Sequence, residues 1–213
     1  YDEDCDDDNM CTLDRCEAGT GCVSRCWPPV GGHPCCLDPA CWQSPGCQAP
    51  VGGSGLYGTL HNGWPNTSTL VRLDPDTGDL LDTIGDVGYA VNGLTWDATT
   101  NTMYASTTTW DPLLHSGLLT IDLGTGAGTP VGTGSGLAQS VVCLTANSAG
   151  DLYAWYDPSA DDLVLWDKVA GTAAVVGESR LNTGEHGLAF DAGDVLYLVN
   201  YNGNIYTLDT LSG

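Results

Sequence analysis

From about Val51 onward, apolar Val, Leu, Tyr and Trp alternate with Thr, Ser and charged residues in short runs broken by Gly, Asn and Asp. A period of two sends successive side chains to opposite faces, so these runs predict half-buried strands joined by turns. No stretch carries the helical period with caps. One phrase recurs four times, an apolar strand ending in Asp followed by a short turn ending in Gly. It reads LVRLDPDTG (70–78), LLTIDLGTG (118–126), LVLWDKVAG (163–171) and IYTLDTLSG (205–213).

Aligning the flanks of that phrase yields a unit of four strand positions, A to D. Position A is NGLTWD (92–97), SVVCLT (140–145) and HGLAFD (186–191). Position B is LYGTL (56–60), MYAST (103–107), DLYAW (151–155) and VLYLVN (195–200). The recurring phrase supplies C, and D is LLDTIG (80–85), GTPVG (128–132) and AAVVG (173–177). Short-strand repeats at a period of roughly 40–50 residues are the signature of propeller-type architectures. The expectation is an all-β, propeller-like array of about four short four-stranded blades, behind an N-terminal disulfide-rich, loop-rich cap. The first blade lacks A and the last lacks D. A ring could close if the segment near Cys47 to Gly55 supplied one of them. Otherwise a longer gene product or a neighbouring protomer would complete the blade. An unpaired edge templates association, and a head-to-tail contact that does not close yields fibres.

The pattern G-L-x-F-D, then L-Y, then I-Y-x-L-D-x-x-T-G resembles the blades of secreted propellers of the NHL and YVTN type, over about three quarters of the chain. That resemblance implies a fold. Propellers host binding modules, scaffolds and several enzyme classes, so it implies little about activity.

Residues 1–50 read as a separate module and 51–213 as the repeat domain. The module is poor in aliphatic residues and holds Cys5, Cys11, Cys16, Cys22, Cys26, Cys35, Cys36, Cys41 and Cys47. Without bridges it could not offset its own conformational entropy, and each closed loop would contribute about 2–4 kcal/mol. No C-x-x-C pair is present, which argues against zinc. Its opening, CDDDNMCTLDRCEAGTGCV (5–23), resembles cysteine-rich modules of exported bacterial proteins, C-D-D-G-N-x-C-T-x-D-x-C-x-x-x-T-G-x-C-V, with Asp8 where those carry Gly. The tenth cysteine, Cys143, lies in the strand SVVCLTA. Either it bridges to one of the nine and staples the cap to the repeat domain, or it is a buried thiol and an N-terminal cysteine bonds another chain.

Charge narrows the partners. The 213 residues hold 27 acidic side chains against five Lys and Arg, a net charge of -22. Nucleic acid and anionic membranes are therefore poor partners, because phosphate contacts need clustered cations. No apolar run reaches the roughly 18–20 residues of a membrane helix. The chain starts at Tyr1 in polar sequence, which is expected of a processed terminus, and with the cysteine density it points to a secreted, extracellular or cell-surface protein.

Candidate chemistry gathers at the B–C loops, where Trp64, Trp110, Trp155, Tyr156 and Tyr201 sit beside Asn and Asp. Rings next to amides and carboxylates suit sugars, whose apolar faces stack while their hydroxyls hydrogen-bond. The same rings could equally pack between blades. Arg180, Glu185 and His186 cluster in the D–A loop ESRLNTGEH, a set that could serve acid/base work or a metal. Other blades carry no matching residues, and His61 and His115 sit in B–C loops without an evident link to His186. Asp74, Asp76, Asp122, Asp167 and Asp209 of the C–D turns recur with Gly, which marks hairpin turns rather than ligands. Asp4, Asp6 and Asp8 in the acidic N-terminus offer hard oxygens for weak calcium binding, without the spacing of an EF-hand loop. No other cofactor is expected. Asn66 opens a glycosylation sequon. Three readings follow: a non-enzymatic structural or adhesive protein that self-assembles by completing open blade edges, a glycan-binding propeller module, and a propeller hydrolase or lyase around His186. The first is favoured, because the end blades each lack a strand and no catalytic set is complete.

Overall fold

The alternating runs fold as strands. The computed structural model describes residues 12–17, 21–26, 55–63, 67–138, 140–157, 161–179, 181 and 186–213. Among them the chain is all-β, without helix. It divides into compact units Tyr1–Val51 and Gly52–Gly213. In the first unit β1 (Thr12–Glu17) and β2 (Gly21–Cys26) form an antiparallel hairpin with Cys16 opposite Cys22 in register. The cysteine pairings expected of residues 5–47, and any bridge from them to Cys143, concern side chains outside the described residues.

The second unit is a run of antiparallel meanders. The first sheet holds β3 (Leu56–His61), β4 (Ser68–Leu73) and β5 (Leu80–Asp86). The second holds β6 (Val91–Asp97), β7 (Thr102–Thr107), β8 (Leu118–Ile121) and β9 (Gly128–Val131). The third holds β10 (Ser140–Ala146), β11 (Leu152–Asp157), β12 (Asp162–Trp166) and β13 (Ala173–Gly177). The fourth holds β14 (His186–Phe190), β15 (Leu196–Asn200) and β16 (Ile205–Leu208). Strand positions BCD, ABCD, ABCD and ABC are thus occupied, as the aligned repeats require. Inner strand β6 packs on β10, and β10 on β14, making a propeller-like array of four blades.

The apolar core lies between blades rather than at one centre. Leu70 and Val87 of the first blade meet Met103, Ala105, Leu119 and Ile121 of the second. Tyr104 and Leu118 of the second meet Val141, Leu144, Leu152, Ala154, Val164 and Trp166 of the third. Tyr153, Trp155 and Leu163 of the third meet Leu196 and Leu198 of the fourth. The period of two explains this layering. Met103 and Ala105 leave one face of β7 and Tyr104 the other, so each strand serves two layers. Each Leu, Val, Ile or Met of these layers, taken fully from water, contributes about 1.5–3 kcal/mol.

The recurring turn has two tasks. Its Asp closes the hairpin: Oδ1 of Asp74 accepts the N–H of Asp76 and Thr77 at 2.8 and 3.1 Å, and Asp122, Asp167 and Asp209 act alike. Its Gly donates N–H to the Asp carbonyl at 2.8 Å in all four copies. Three of those glycines also press on the glycine that ends strand position D of the preceding blade, pairing Gly126 with Gly85, Gly171 with Gly132 and Gly213 with Gly177. A Cβ on Gly126 would lie 2.6 Å from the Gly85 carbonyl oxygen, and one on Gly171 would overlap that of Val131. Gly78, in the first blade, faces open space.

Polar contacts tie the same joints. The N–H of Gly128 donates to Val87 O at 2.9 Å, and that of Ala173 to Ser135 O at 2.8 Å. Between A–B turns, Lys168 Nζ reaches the buried Asp97 carboxylate and Gly150 O, both at 2.7 Å. Burial opposes ionisation of Asp97. The Lys168 ammonium, the Thr99 and Thr100 hydroxyls and the Thr99 N–H together outweigh it and hold the pKa well below the usual carboxylate range. Ser148 N–H donates to Asp194 Oδ1 at 2.8 Å across the next joint.

Gly78 and Gly171 share left-handed backbones, φ 77° and 69°. Replacing either by Ala costs about 1 kcal/mol in backbone strain. Gly171→Ala should lose about 1–3 kcal/mol more, because its Cβ forces two blades apart. Urea unfolding of the two variants reads the difference; equal losses would contradict the inter-blade contact.

Candidate functional site

Because successive strands of a meander reverse direction, the B–C and D–A connections share one end of each blade. Trp110 stands there 70% exposed, in a loop pinned by buried Asp111. Asp111 Oδ1 accepts the N–H of Leu113 and Leu114, both at 2.8 Å, and Oδ2 accepts that of Ala90 at 2.7 Å. Tyr201 is 69% exposed, in a turn where Asn200 Oδ1 accepts the Asn204 N–H at 2.9 Å. Trp155 corrects the expectation. Strand β11 runs on to Asp157, so Trp155 is a strand residue, wholly buried between the third and fourth blades. Its indole N–H donates to Asp161 Oδ1 at 3.3 Å. Tyr156 also lies on β11, half-buried against the layer between the second and third blades. Trp64, Asn66, Asp4, Asp6 and Asp8 lie outside the described residues.

The structure draws attention to an acidic group that the repeats alone had not singled out. Asp161 and Asp162 are buried where β12 begins, and the Ser179 hydroxyl donates to the Asp161 carbonyl. Asp162 Oδ1 is buried without a hydrogen-bond partner. Burial raises the Asp162 pKa, the Glu178 and Asp161 carboxylates add to the rise, and the Ser179 N–H opposes it. The corresponding positions of the other blades carry Thr69, Gly117 and Asn204, all uncharged. That charge in an otherwise neutral column was the available signal. Chemically, such a group is an acid that keeps its proton to higher pH than an ordinary carboxyl.

The other expected residues do not form a described centre. His186 opens β14, opposite Asn200 in register, while Arg180 and Glu185 lie outside the described residues. His61 ends β3 and His115 lies in the loop before β8, both exposed. Among the described residues no group of three His, Cys, Asp or Glu could hold a metal ion, and no helix is long and apolar enough to cross a membrane. Cys143 sits half-buried on β10, with φ 50°, at an irregularity between Val142 and Thr145.

No family model matches the chain, and no curated protein matches it in sequence. Among solved structures it is similar to a protein of unknown function from Bacteroides thetaiotaomicron, with a TM-score of 0.53 and 17% identity over 70% of this chain and 41% of that one. A nidogen/laminin complex (TM-score 0.46, 12% identity, 67% of this chain and 59% of that one) is also similar. So is a gluconolactonase from Xanthomonas campestris (TM-score 0.45, 17% identity, 76% and 48%). The likeness to the Bacteroides protein is one of fold. This chain spans between 41% and 59% of the length of those three.

Two outcomes are expected. Trp155→Ala should cost about 3–5 kcal/mol, whereas Trp110→Ala should stay within about 0.5 kcal/mol; chemical denaturation distinguishes them, and similar losses would refute the assignment. The raised pKa of Asp162 means that its stabilising, protonated state is fully present below the unfolded pKa and lost as pH rises through the folded one. Asp162→Asn should therefore raise the melting temperature at pH 7, with the gain vanishing below about pH 4. A variant no more stable than the parent at pH 7 would contradict this.

Proposed function

We propose that this chain is an exported, non-enzymatic structural or adhesive protein that assembles with copies of itself, completing its open blade edges between protomers. One observation carries the reading. Among the described residues the middle blades have four strands, while β3 has no partner on its A side and β16 none on its D side. Strand edges of this kind recruit another chain through backbone hydrogen bonds. The resemblance of the repeat to the NHL and YVTN type, and that of the cysteine-rich module to exported proteins, support an extracellular setting. With a net charge of -22, copies repel one another at low ionic strength. Assembly should strengthen at about 0.15 M salt, where the Debye length falls to about 8 Å.

Trp110 and Tyr201, large and exposed in B–C loops of two blades, favour a second reading as a glycan-binding module. A glycan array separates the two, since binding lost in Trp110→Ala would support it and a blank array would remove it.

Size-exclusion chromatography with light scattering, followed by negative-stain microscopy, tests self-assembly. Oligomers or fibres that grow with concentration are expected. A monomer at every concentration and salt would overturn the proposal.

A further inference from the structure

The joint between the second and third blades carries a buried acid at each end, and the two have opposite surroundings. At the end where the A–B and C–D turns lie, Asp97 of the second blade is fully buried and meets Lys168 of the third at 2.7 Å. The Thr99 and Thr100 hydroxyls donate to the same carboxylate, each at 2.7 Å. These donors favour the charged form.

Asp162 stands at the other end. Side chains alternate along β12, so Asp162 shares a face with Val164 and Trp166, both in the layer between the second and third blades, while Leu163 turns to the fourth. Tyr156, opposite Asp162 in register on β11, packs on the same layer. Asp162 is 6% exposed, and its Oδ1 is buried without a hydrogen-bond partner. Ionised, it puts a bare charge into an apolar joint, at a cost that the protonated carboxyl avoids.

Its neighbours do not offset that charge. On its own blade Asp161 precedes it and Glu178 lies just beyond β13; both are acids that oppose its ionisation, and the Ser179 N–H donates to it. From the second blade, β7 and β8 carry no charged residue and one titratable one, Tyr104, and residues 132–138 hold none of either. In the loop before β8, Asp111 is committed to the N–H groups of Ala90, Leu113 and Leu114, and His115 is exposed. The side chains of Asp157, Arg180, Glu185 and His186 lie outside the described residues.

We propose that this joint is a pH-sensitive latch, which Asp97 and Lys168 hold shut at one end while the Asp162 carboxyl lets the other end close only when it is protonated. The two acids respond to pH in opposite senses. Asp97 stabilises above the unfolded carboxylate pKa, about 3.9, and loses that contribution as pH falls through its lowered folded value. Asp162 stabilises below the unfolded pKa and loses its contribution as pH rises through its raised folded value. The joint is therefore tightest in mild acid. At higher pH it loosens from the Asp162 end while Lys168 keeps the blades attached, a local opening rather than unfolding. The matching positions of the other blades, Thr69, Gly117 and Asn204, are uncharged, so the device belongs to this joint.

Hydrogen exchange of the whole chain in dilute solution, between about pH 4 and pH 9, tests the latch. Rates are expressed as protection factors, so that the pH dependence of exchange itself cancels. Amides of β8 and β12 should lose protection severalfold as pH rises, while those of β4 hold theirs. Asp162→Asn and Asp162→Thr, which install residues that the fourth and first blades already carry there, should both remove this slope, and either suffices if the other folds poorly. Asp97→Asn should lower protection in the same strands and leave the slope in place. Flat protection of β12 in the parent, or a slope that survives in the Asp162 variants, would overturn the latch. An equal slope in β4 would overturn its restriction to this joint.

Discussion

A blade of three or four short strands has two apolar faces and no interior, so it stays folded only where another blade covers it. The joint between successive blades is therefore the contact on which the second unit depends. Each described joint combines an apolar layer with polar or glycine contacts at its rim. The glycine pairs set how near the blades come, since a side chain at Gly126 or Gly171 would drive backbone into backbone. Close approach then lets Leu118, Leu152 and Val164 share one buried cluster.

The polar rim makes each joint specific. Asp97 is an acid whose buried charge is matched by Lys168 from the next blade, so the pair discriminates against slipped packing as well as adding attraction. The Asp194 carboxylate, accepting from Ser148, serves the following joint in the same way. Nearest-neighbour contacts of this kind make stability roughly additive along the array, and they make its ends different from its middle. Leu56 and Ile205, which match buried core residues of the inner blades, are 44% and 67% exposed.

Much of this was legible in the sequence. The period of two and the recurring Asp-turn-Gly phrase placed the described strands of the repeat domain to within a few residues, and Asp74, Asp122, Asp167 and Asp209 are turn residues, as their pairing with Gly implied. The glycine was read only in part. A local pattern reports the need for positive φ, but not that Gly171 also touches the backbone of another blade 40 residues earlier in the repeat. Trp155 was misplaced for a related reason. A tryptophan near the end of a strand reads the same whether the strand stops before it or continues, and only the fourth blade decides that its ring is covered. The charge of Asp162 is visible once the four repeats are set side by side, but its burial is not, because burial at that column is a property of the packed array.

Hydrogen exchange followed by mass spectrometry across a concentration series tests assembly through the end blades most directly. Amides of β3, β4, β15 and β16 should grow more protected as concentration rises, while those of β7 and β11 keep one rate throughout. End strands that exchange equally fast at every concentration would contradict the account.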